Sequence, residues 1–237
     1  MHRSAPRLTR ILACAAVPVM LVVAGCSSDS DSKSEDSATA SPTPEAKKSP
    51  TVAPAKFSKL PSPCDSITEK TIESLVPSVK SKNGDSGKSS DVTRRGSCSW
   101  NGLDDNGVKG SQYRWLDVSF LRYDSDASLA VSAEQRAKDS YAKEIAKAKA
   151  TEGAKDVKTA AAAGIGNEAT TVNYQLRKTE EDFVYAVIVA RTENGVVTLT
   201  YNGTGYAGAK NPSVADLTED ALKAAKEAVA SVATANK

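Results

Sequence analysis

The strongest constraint on the fold is a pair of apolar runs joined by a tight-turn signal. Phe183 to Ala190 is apolar on both alternating faces, and Val197, Leu199 and Tyr201 alternate with polar residues shortly after it. Glu193-Asn194-Gly195 lies between them. Asn-Gly readily adopts the left-handed backbone of a two-residue hairpin, so the runs predict adjacent antiparallel strands. A run apolar on both faces belongs in the middle of a sheet that is covered from both sides. Just upstream, Val172, Tyr174 and Leu176 alternate with polar neighbours and predict a strand covered on one face.

The remaining patterns supply the covering layers. Thr68 can cap a short helix over Glu69 to Val76, with Ile67 and Ile72 at the hydrophobic-staple positions and Pro77 helping to stop it. The polar stretch Ser81 to Arg95 reads as a loop. Cys98-Ser99-Trp100 begins a short strand, and Tyr113 to Tyr123 is the next, with Leu116, Val118 and Phe120 on one face. Ser132-Ala133-Glu134-Gln135 is a capping-box pattern that opens a helix to about Ala150, with Ala137, Tyr141, Ile145 and Ala148 as its apolar stripe. A final helix from about Val214 to Thr234 aligns Leu217, Ala221, Ala224, Ala228 and Val232. The predicted order is α-β-β-α-β-β-β-α. That is an α+β domain: a mostly antiparallel sheet of about five strands with three helices packed on it.

The N-terminus has a different character. Arg3, Arg7 and Arg10 precede an apolar run of 14 residues, Ile11 to Ala24. A bilayer span needs about 20 residues, whereas this length suits a signal-peptide core. The run ends in Val23-Ala24-Gly25-Cys26, which resembles the lipobox of bacterial lipoproteins. That resemblance implies a diacylglyceryl group on Cys26 and cleavage before it, leaving the protein anchored to the outer face of the cell membrane. An ordinary cleaved signal followed by a chance Cys is the alternative. The expected organisation is a signal peptide over residues 1–25, a lipidated Cys and tether over 26–56, and one extracytoplasmic domain over 57–237.

The tether, Ser27 to Lys56, holds eight Ser, three Thr, four Pro and five Ala and no aromatic residue. Such a segment cannot bury enough apolar surface to offset its ordering entropy and is expected to be a disordered spacer. O-glycosylation near Thr39, Thr43 and Thr51 is a second reading. The whole chain carries 31 Lys and Arg against 29 Asp and Glu, for a net charge of +2. Loss of residues 1–25 removes three Arg and takes that charge to −1. There is no basic excess to drive phosphate-backbone contacts, so nucleic acid is not an expected partner.

Cys64 and Cys98 remain after Cys26 is assigned to lipid. In an oxidising compartment two such cysteines most simply pair, tying the first helix to the first strand. A redox or metal pair is the rival, without a CxxC spacing to support it. The lipobox, the tether, Pro63-Cys64-Asp65, Gly96-Ser97-Cys98-Ser99-Trp100 and Gly164-Ile165-Gly166-Asn167-Glu168-Ala169 together resemble a set of actinobacterial lipoproteins that carry a domain of unknown function. The resemblance runs from about Pro61 to Val232 and implies a Cys64–Cys98 disulfide in an envelope lipoprotein, with no catalytic residues to carry over. The layout is also similar to extracellular sensor domains of some mycobacterial serine/threonine kinases.

No histidine survives removal of residues 1–25, since His2 is the only one in the chain. Ser-His-Asp, Cys-His and His-metal constellations are thereby excluded from the mature chain. Gly203-Thr204-Gly205-Tyr206-Ala207-Gly208 matches GxGxxG, but no βαβ unit follows it, so a flexible loop is the expectation. The acidic groups Asp104-Asp105 and Glu180-Glu181-Asp182 fall in expected turns. Asp104-Asp105-Asn106-Gly107 hints at calcium but lacks acidic ligands at the later loop positions. No cofactor or metal is expected. Aromatic residues are scarce, at 5% of the chain, which makes their placement informative. Trp100, Tyr113 and Trp115 flank an expected glycine-rich loop, Asn101 to Gly110, and Tyr201 and Tyr206 flank a second, Gly203 to Asn211. If the loops meet, these rings line a cleft for a glycan or peptide; otherwise they fill the core. The sequence therefore reads as a non-catalytic, lipid-anchored binding or sensing domain for an envelope protein or glycan. The alternative is a histidine-independent envelope hydrolase that uses paired carboxylates.

Overall fold

A computed structural model describes residues 51–237. The signal segment, Cys26 and most of the tether lie outside the described residues. Helix α1 spans Glu69–Leu75, and the Thr68 hydroxyl accepts from the Thr71 amide at its start. Ile67 and Ile72 are both buried, as the staple pattern requires. Helix α2 spans Ala133–Lys149 and α3 spans Val214–Ala235. Ser132 caps α2 by accepting from the Gln135 amide at 3.1 Å. The return half of the box is not made, because the Gln135 amide group turns to Asp139 at 2.9 Å.

The sheet has seven strands rather than about five. They are β1 (Asp85–Ser86), β2 (Arg95–Asp105), β3 (Ser111–Arg122), β4 (Lys155–Ala161), β5 (Glu168–Lys178), β6 (Glu181–Thr192) and β7 (Gly195–Tyr206). Their spatial order is β1-β2-β3-β7-β6-β5-β4, and every neighbouring pair is antiparallel. The two extra strands are the two edges. All seven residues of β4 are exposed, so it carries no apolar alternation to betray it. Its lysines, a register shift between Lys155 and Lys158, and the left-handed Asp156 (φ 53°) suit an edge that must not recruit another chain.

Strands β2 and β3 form a hairpin, and α2 then carries the chain across the sheet to the far edge. From there β4 to β7 meander back until β7 pairs with β3 over its whole length, from Gly195 opposite Arg122 to Tyr206 opposite Ser111. The alternating residues of each strand build two layers. Leu116, Val118, Phe120, Ile188, Leu199 and Tyr201 face α1 and α3, where Leu217, Ala221, Ala224, Ala228 and Val232 are buried. Val172, Tyr174, Val187, Val189 and Val196 face the opposite way, against Ala137, Tyr141, Ile145 and Ala148 of α2. The double burial expected of β6 follows from a helix on either side of it.

The β6–β7 turn differs by one residue from the Asn-Gly reading. Thr192 pairs with Gly195, so the two turn residues are Glu193, at φ 54°, and Asn194. Asn194 is drawn into the turn because its side chain is a clamp. Its Oδ1 accepts from the Phe57 amide at 2.7 Å, and its Nδ2 donates to the carbonyls of Phe57 at 2.9 Å and Tyr123 at 2.8 Å. The start of the domain is held by α3 as well, where Asn236 Oδ1 accepts from the amides of Ser58 and Lys59. Contacts begin slightly ahead of Phe57: Lys56 pairs with Glu193 at 2.7 Å, and the Ser125 hydroxyl donates to the Ala53 carbonyl at 2.5 Å. Cys64 and Cys98 are bonded to each other, joining the segment before α1 to β2.

Candidate functional site

The face of the sheet that carries α2 is only partly covered. At the end of β3 and β7 away from the β6–β7 turn, the helix no longer overlies the strands. A cavity of about 540 Å³ opens there, lined by Tyr113, Trp115, Phe183, Tyr185, Asn202 and Tyr206, with Lys178 and Thr179 at its margin. Register explains the gathering. Trp115 lies opposite Asn202, which lies opposite Tyr185, which in turn lies opposite Tyr174, so four side chains form one row across β3, β7, β6 and β5. Five of the chain's twelve Phe, Trp and Tyr residues line this one cavity.

The rings support one another at the sheet surface. Tyr113 meets Phe183 edge-on, with centroids 6.1 Å apart, and Tyr206 at 6.5 Å. Tyr174 and Tyr185 stack at 4.8 Å, and the Lys178 ammonium lies 5.3 Å from the Tyr185 centroid. Such contacts fix ring orientation without closing the cavity. Burial pushes the hydroxyls of Tyr113 and Tyr206 up from their ordinary range, so both stay neutral donors at physiological pH.

Asp117 follows Trp115 on the same face of β3, flanked by Ser99 of β2 and Thr200 of β7. It is half-buried, and burial lifts its carboxyl to about 6. Aromatic faces beside a row of Asn, Thr, Ser and Asp can stack on a ring and hydrogen-bond its substituents at the same time.

The five rings singled out from the sequence divide between the two faces. Tyr113, Trp115 and Tyr206 come together in the cavity. Trp100 and Tyr201 do not join them, because both point into the core on the α1 and α3 side. Trp100 donates its indole N–H to the Lys82 carbonyl at 3.1 Å, and the Tyr201 hydroxyl donates to the Leu75 carbonyl. Phe183 and Tyr185 complete the cavity, and their membership was hidden inside a run that is apolar on both faces.

The two glycine-rich segments are mostly strand rather than loop. Asn101 to Asp105 ends β2, and Gly203 to Tyr206 ends β7. Their connecting turns do meet: a Cβ on Gly110 would lie 2.7 Å from the Ala209 Cβ. The GxGxxG match is likewise explained by packing, since a Cβ on Gly205 would lie 2.3 Å from the Ala209 carbonyl oxygen. Asn211 secures this return by accepting from the Gly205 amide at 2.9 Å and donating to the Asp182 carbonyl at 2.8 Å.

Of the acidic residues expected in turns, only Glu180 lies in one; Asp104 and Asp105 end β2, and Glu181 and Asp182 begin β6. Asp105 accepts from the Gly107 amide and the Ser111 hydroxyl, both at 2.9 Å, which holds its carboxyl below the usual range. Asp182 pairs with Arg177 at 3.4 Å. Gly164 to Ala169 leads into β5, where Asn167 accepts from the Glu193 amide at 2.5 Å and Glu168 pairs with Arg191. Among the described residues no cluster of His, Cys, Asp and Glu has metal-holding geometry, and no helix is long and apolar enough to cross a membrane.

No protein-family model matches the chain, and no curated protein is similar to it in sequence. Among solved structures it is similar to the crystal structure of LpqN, involved in cell envelope biogenesis of Mycobacterium tuberculosis. That match has 14% identity and a TM-score of 0.29, and covers 54% of this chain and 68% of the other. So slight a likeness carries no argument about fold or function, which rest on the residues above.

Proposed function

We propose that this is a lipid-anchored, non-catalytic binding domain of the cell envelope, and that the cavity at Tyr113, Trp115 and Tyr206 is its ligand site. The observation that carries the reading is the concentration of rings around one cavity, where the half-buried Tyr113, Trp115 and Tyr206 stand over a buried floor of Phe183 and Tyr185. A monomeric soluble domain gains by covering such rings, and leaving them open beside polar groups marks a recognition surface. The favoured ligand is a glycan. Trp115 would supply a flat face for a sugar ring, and the hydroxyls of Tyr113, Tyr206 and Thr179 along the lining would supply donors and acceptors for its hydroxyls. The lipobox pattern ending at Cys26 supports the anchoring, and intact-mass measurement of the mature N-terminus tests it: an unmodified Cys26 would refute that part.

The binding test uses tryptophan fluorescence of the full chain titrated with neutral oligosaccharides of glucose, galactose and arabinose. Trp100 is sealed in the core, so Trp115 is the emitter a ligand can reach. Saturable changes that disappear in Trp115→Phe and weaken by about tenfold in Tyr206→Ala are expected. Titration curves that are the same in Tyr206→Ala and the parent would remove the cavity as the site.

A further inference from the structure

A second cavity lies at the opposite end of β3, and its walls are rich in guanidinium groups. It measures about 510 Å³ and receives Arg94 and Arg95 from the segment entering β2, Arg122 from the end of β3 and Arg136 from α2. Arg122 forms the floor, with only 7% of its side chain exposed. Its Nε donates to the Thr93 carbonyl at 3.0 Å, and its Nη1 donates to the Phe57 carbonyl at 3.4 Å and to Asp124.

Three carboxylates share the walls, and each is already engaged. Asp124 is held between Arg122 and Arg94, the latter at 3.0 Å, and these guanidinium groups keep its carboxyl below the usual range. Asp91 accepts from the Thr93 hydroxyl at 2.7 Å and its amide at 3.1 Å. Asp126 accepts from the amides of Ser128 at 3.0 Å and Leu129 at 3.2 Å. Asp126 therefore stabilises its own turn, Asp91 does the same and also pairs with Arg94 at 3.7 Å, and Asp124 neutralises the floor.

Arg136 and Arg95 supply the remaining donors along the lining. Arg136 donates through Nη1 to the Asp124 carbonyl at 2.8 Å and lies 5.6 Å from the Tyr123 ring centroid. That arrangement leaves its other N–H groups free and its plane oriented. Arg95 is exposed, and among the described residues its side chain makes no ion pair. Four guanidinium groups against three engaged carboxylates leave a surplus of positive charge and of planar N–H donors. Phosphate oxygens match such paired donors bidentately, as a carboxylate also does, and a phosphate has oxygens enough for two guanidinium groups to share.

We infer that this cavity binds a phosphate group, with Arg95 and Arg136 as its direct ligands over the Arg122 floor. The chain that leads back toward Cys26 leaves beside it, because the Ala53 carbonyl is bonded to Ser125 in the same wall. Two sources carry this chemistry at that place: the headgroup of an anionic lipid, and a free or polymer-borne phosphate.

Calorimetric titration of the full chain with inorganic phosphate, glycerol 3-phosphate and dihexanoyl-phosphatidylglycerol, the last kept below its micelle concentration, separates them. Saturable binding is expected that weakens by about tenfold in Arg95→Gln and in Arg136→Gln. It should also weaken as NaCl rises from about 20 to about 200 mM. Equal binding of all three probes identifies the phosphate group itself as the ligand, and preference for the phosphatidylglycerol identifies the headgroup. Arg95 is exposed, so Arg95→Gln should keep the parent's melting temperature and remain informative if Arg136→Gln is destabilised. No saturable binding of any probe, or binding unaltered in Arg95→Gln, would overturn the inference.

Discussion

Replacing Asn194 with alanine should loosen the start of the domain while leaving the aromatic cavity intact. The Asn194 side chain is 1% exposed and makes three hydrogen bonds to main chain on two other segments. After truncation the Phe57 carbonyl still has Arg122 at 3.4 Å, but the Phe57 amide and the Tyr123 carbonyl lose these partners. An orphaned buried backbone group costs about 1–3 kcal/mol, so two cost roughly 2–6. Water reaching Phe57 from the exposed Lys56 side recovers part of this, and a loss of about 3 kcal/mol is expected. Urea unfolding with the disulfide intact measures it, with a lower midpoint and an unchanged slope. Hydrogen exchange at the Phe57 amide should accelerate in parallel. Asn194→Asp sharpens the test: it keeps the acceptor but turns a carboxylate toward two carbonyl oxygens, so it should be the worse variant at neutral pH and recover in acid. A loss below about 1 kcal/mol in Asn194→Ala, with Phe57 exchange unchanged, would refute the clamp.

Three further outcomes follow from the packing. Removing the disulfide by Cys64→Ser with Cys98→Ser frees a closure across a sequence separation of 34 and should cost about 3–4 kcal/mol, read from the denaturation midpoint under non-reducing conditions. Asp117 titrates near 6 when folded and near 4 when unfolded, so burial is harmless below about pH 4, and its penalty grows as pH rises to about 6 and stays in full above that. Asp117→Asn should thus gain about 2 kcal/mol on the parent at pH 7 and almost nothing at pH 3.5, and an equal difference at both pH values would contradict the burial argument. Trp100→Ala should cost about 3–5 kcal/mol because the ring is buried beneath the Lys82–Gly84 segment, whereas Trp115→Ala should cost less than about 1 kcal/mol, both by thermal unfolding.

The parts of the fold that were legible in the sequence are those whose burial imposes a period. The stripes of α2 and α3 and the caps at Thr68, Ser132 and Ser213 each rest on local chemistry, and the first two caps could be read directly. Strand β6 was legible because both of its faces are buried. Strand β4 was not, because an exposed edge is selected for polarity and irregularity, which reads as loop. The turn was misread by one residue because Asn194 serves long-range partners, and a two-residue motif cannot report those. The candidate site was half legible for a related reason. Tyr113 and Trp115 stand two apart and must share a face, but Trp100 and Tyr201 occupy the opposite parity once β3 is registered between β2 and β7.

The Asn194 and Asn236 clamps have a mechanical consequence. They fix Phe57, Ser58 and Lys59 at the end of the sheet where β7 begins, while the aromatic cavity lies against the far half of β7, from Asn202 to Tyr206. At about 3.3 Å per residue the two points are separated by roughly 25–35 Å along the strand. With the tether fixed and a ligand held in the cavity, tension between them runs parallel to β3, β6 and β7. The interstrand hydrogen bonds lie across that line and share the load together. Pulling instead on the end of α3 would load the Asn236 latch first and the buried Val232 and Val229 next, one contact after another, so the domain should resist a pull from its Phe57 end better than a pull from α3.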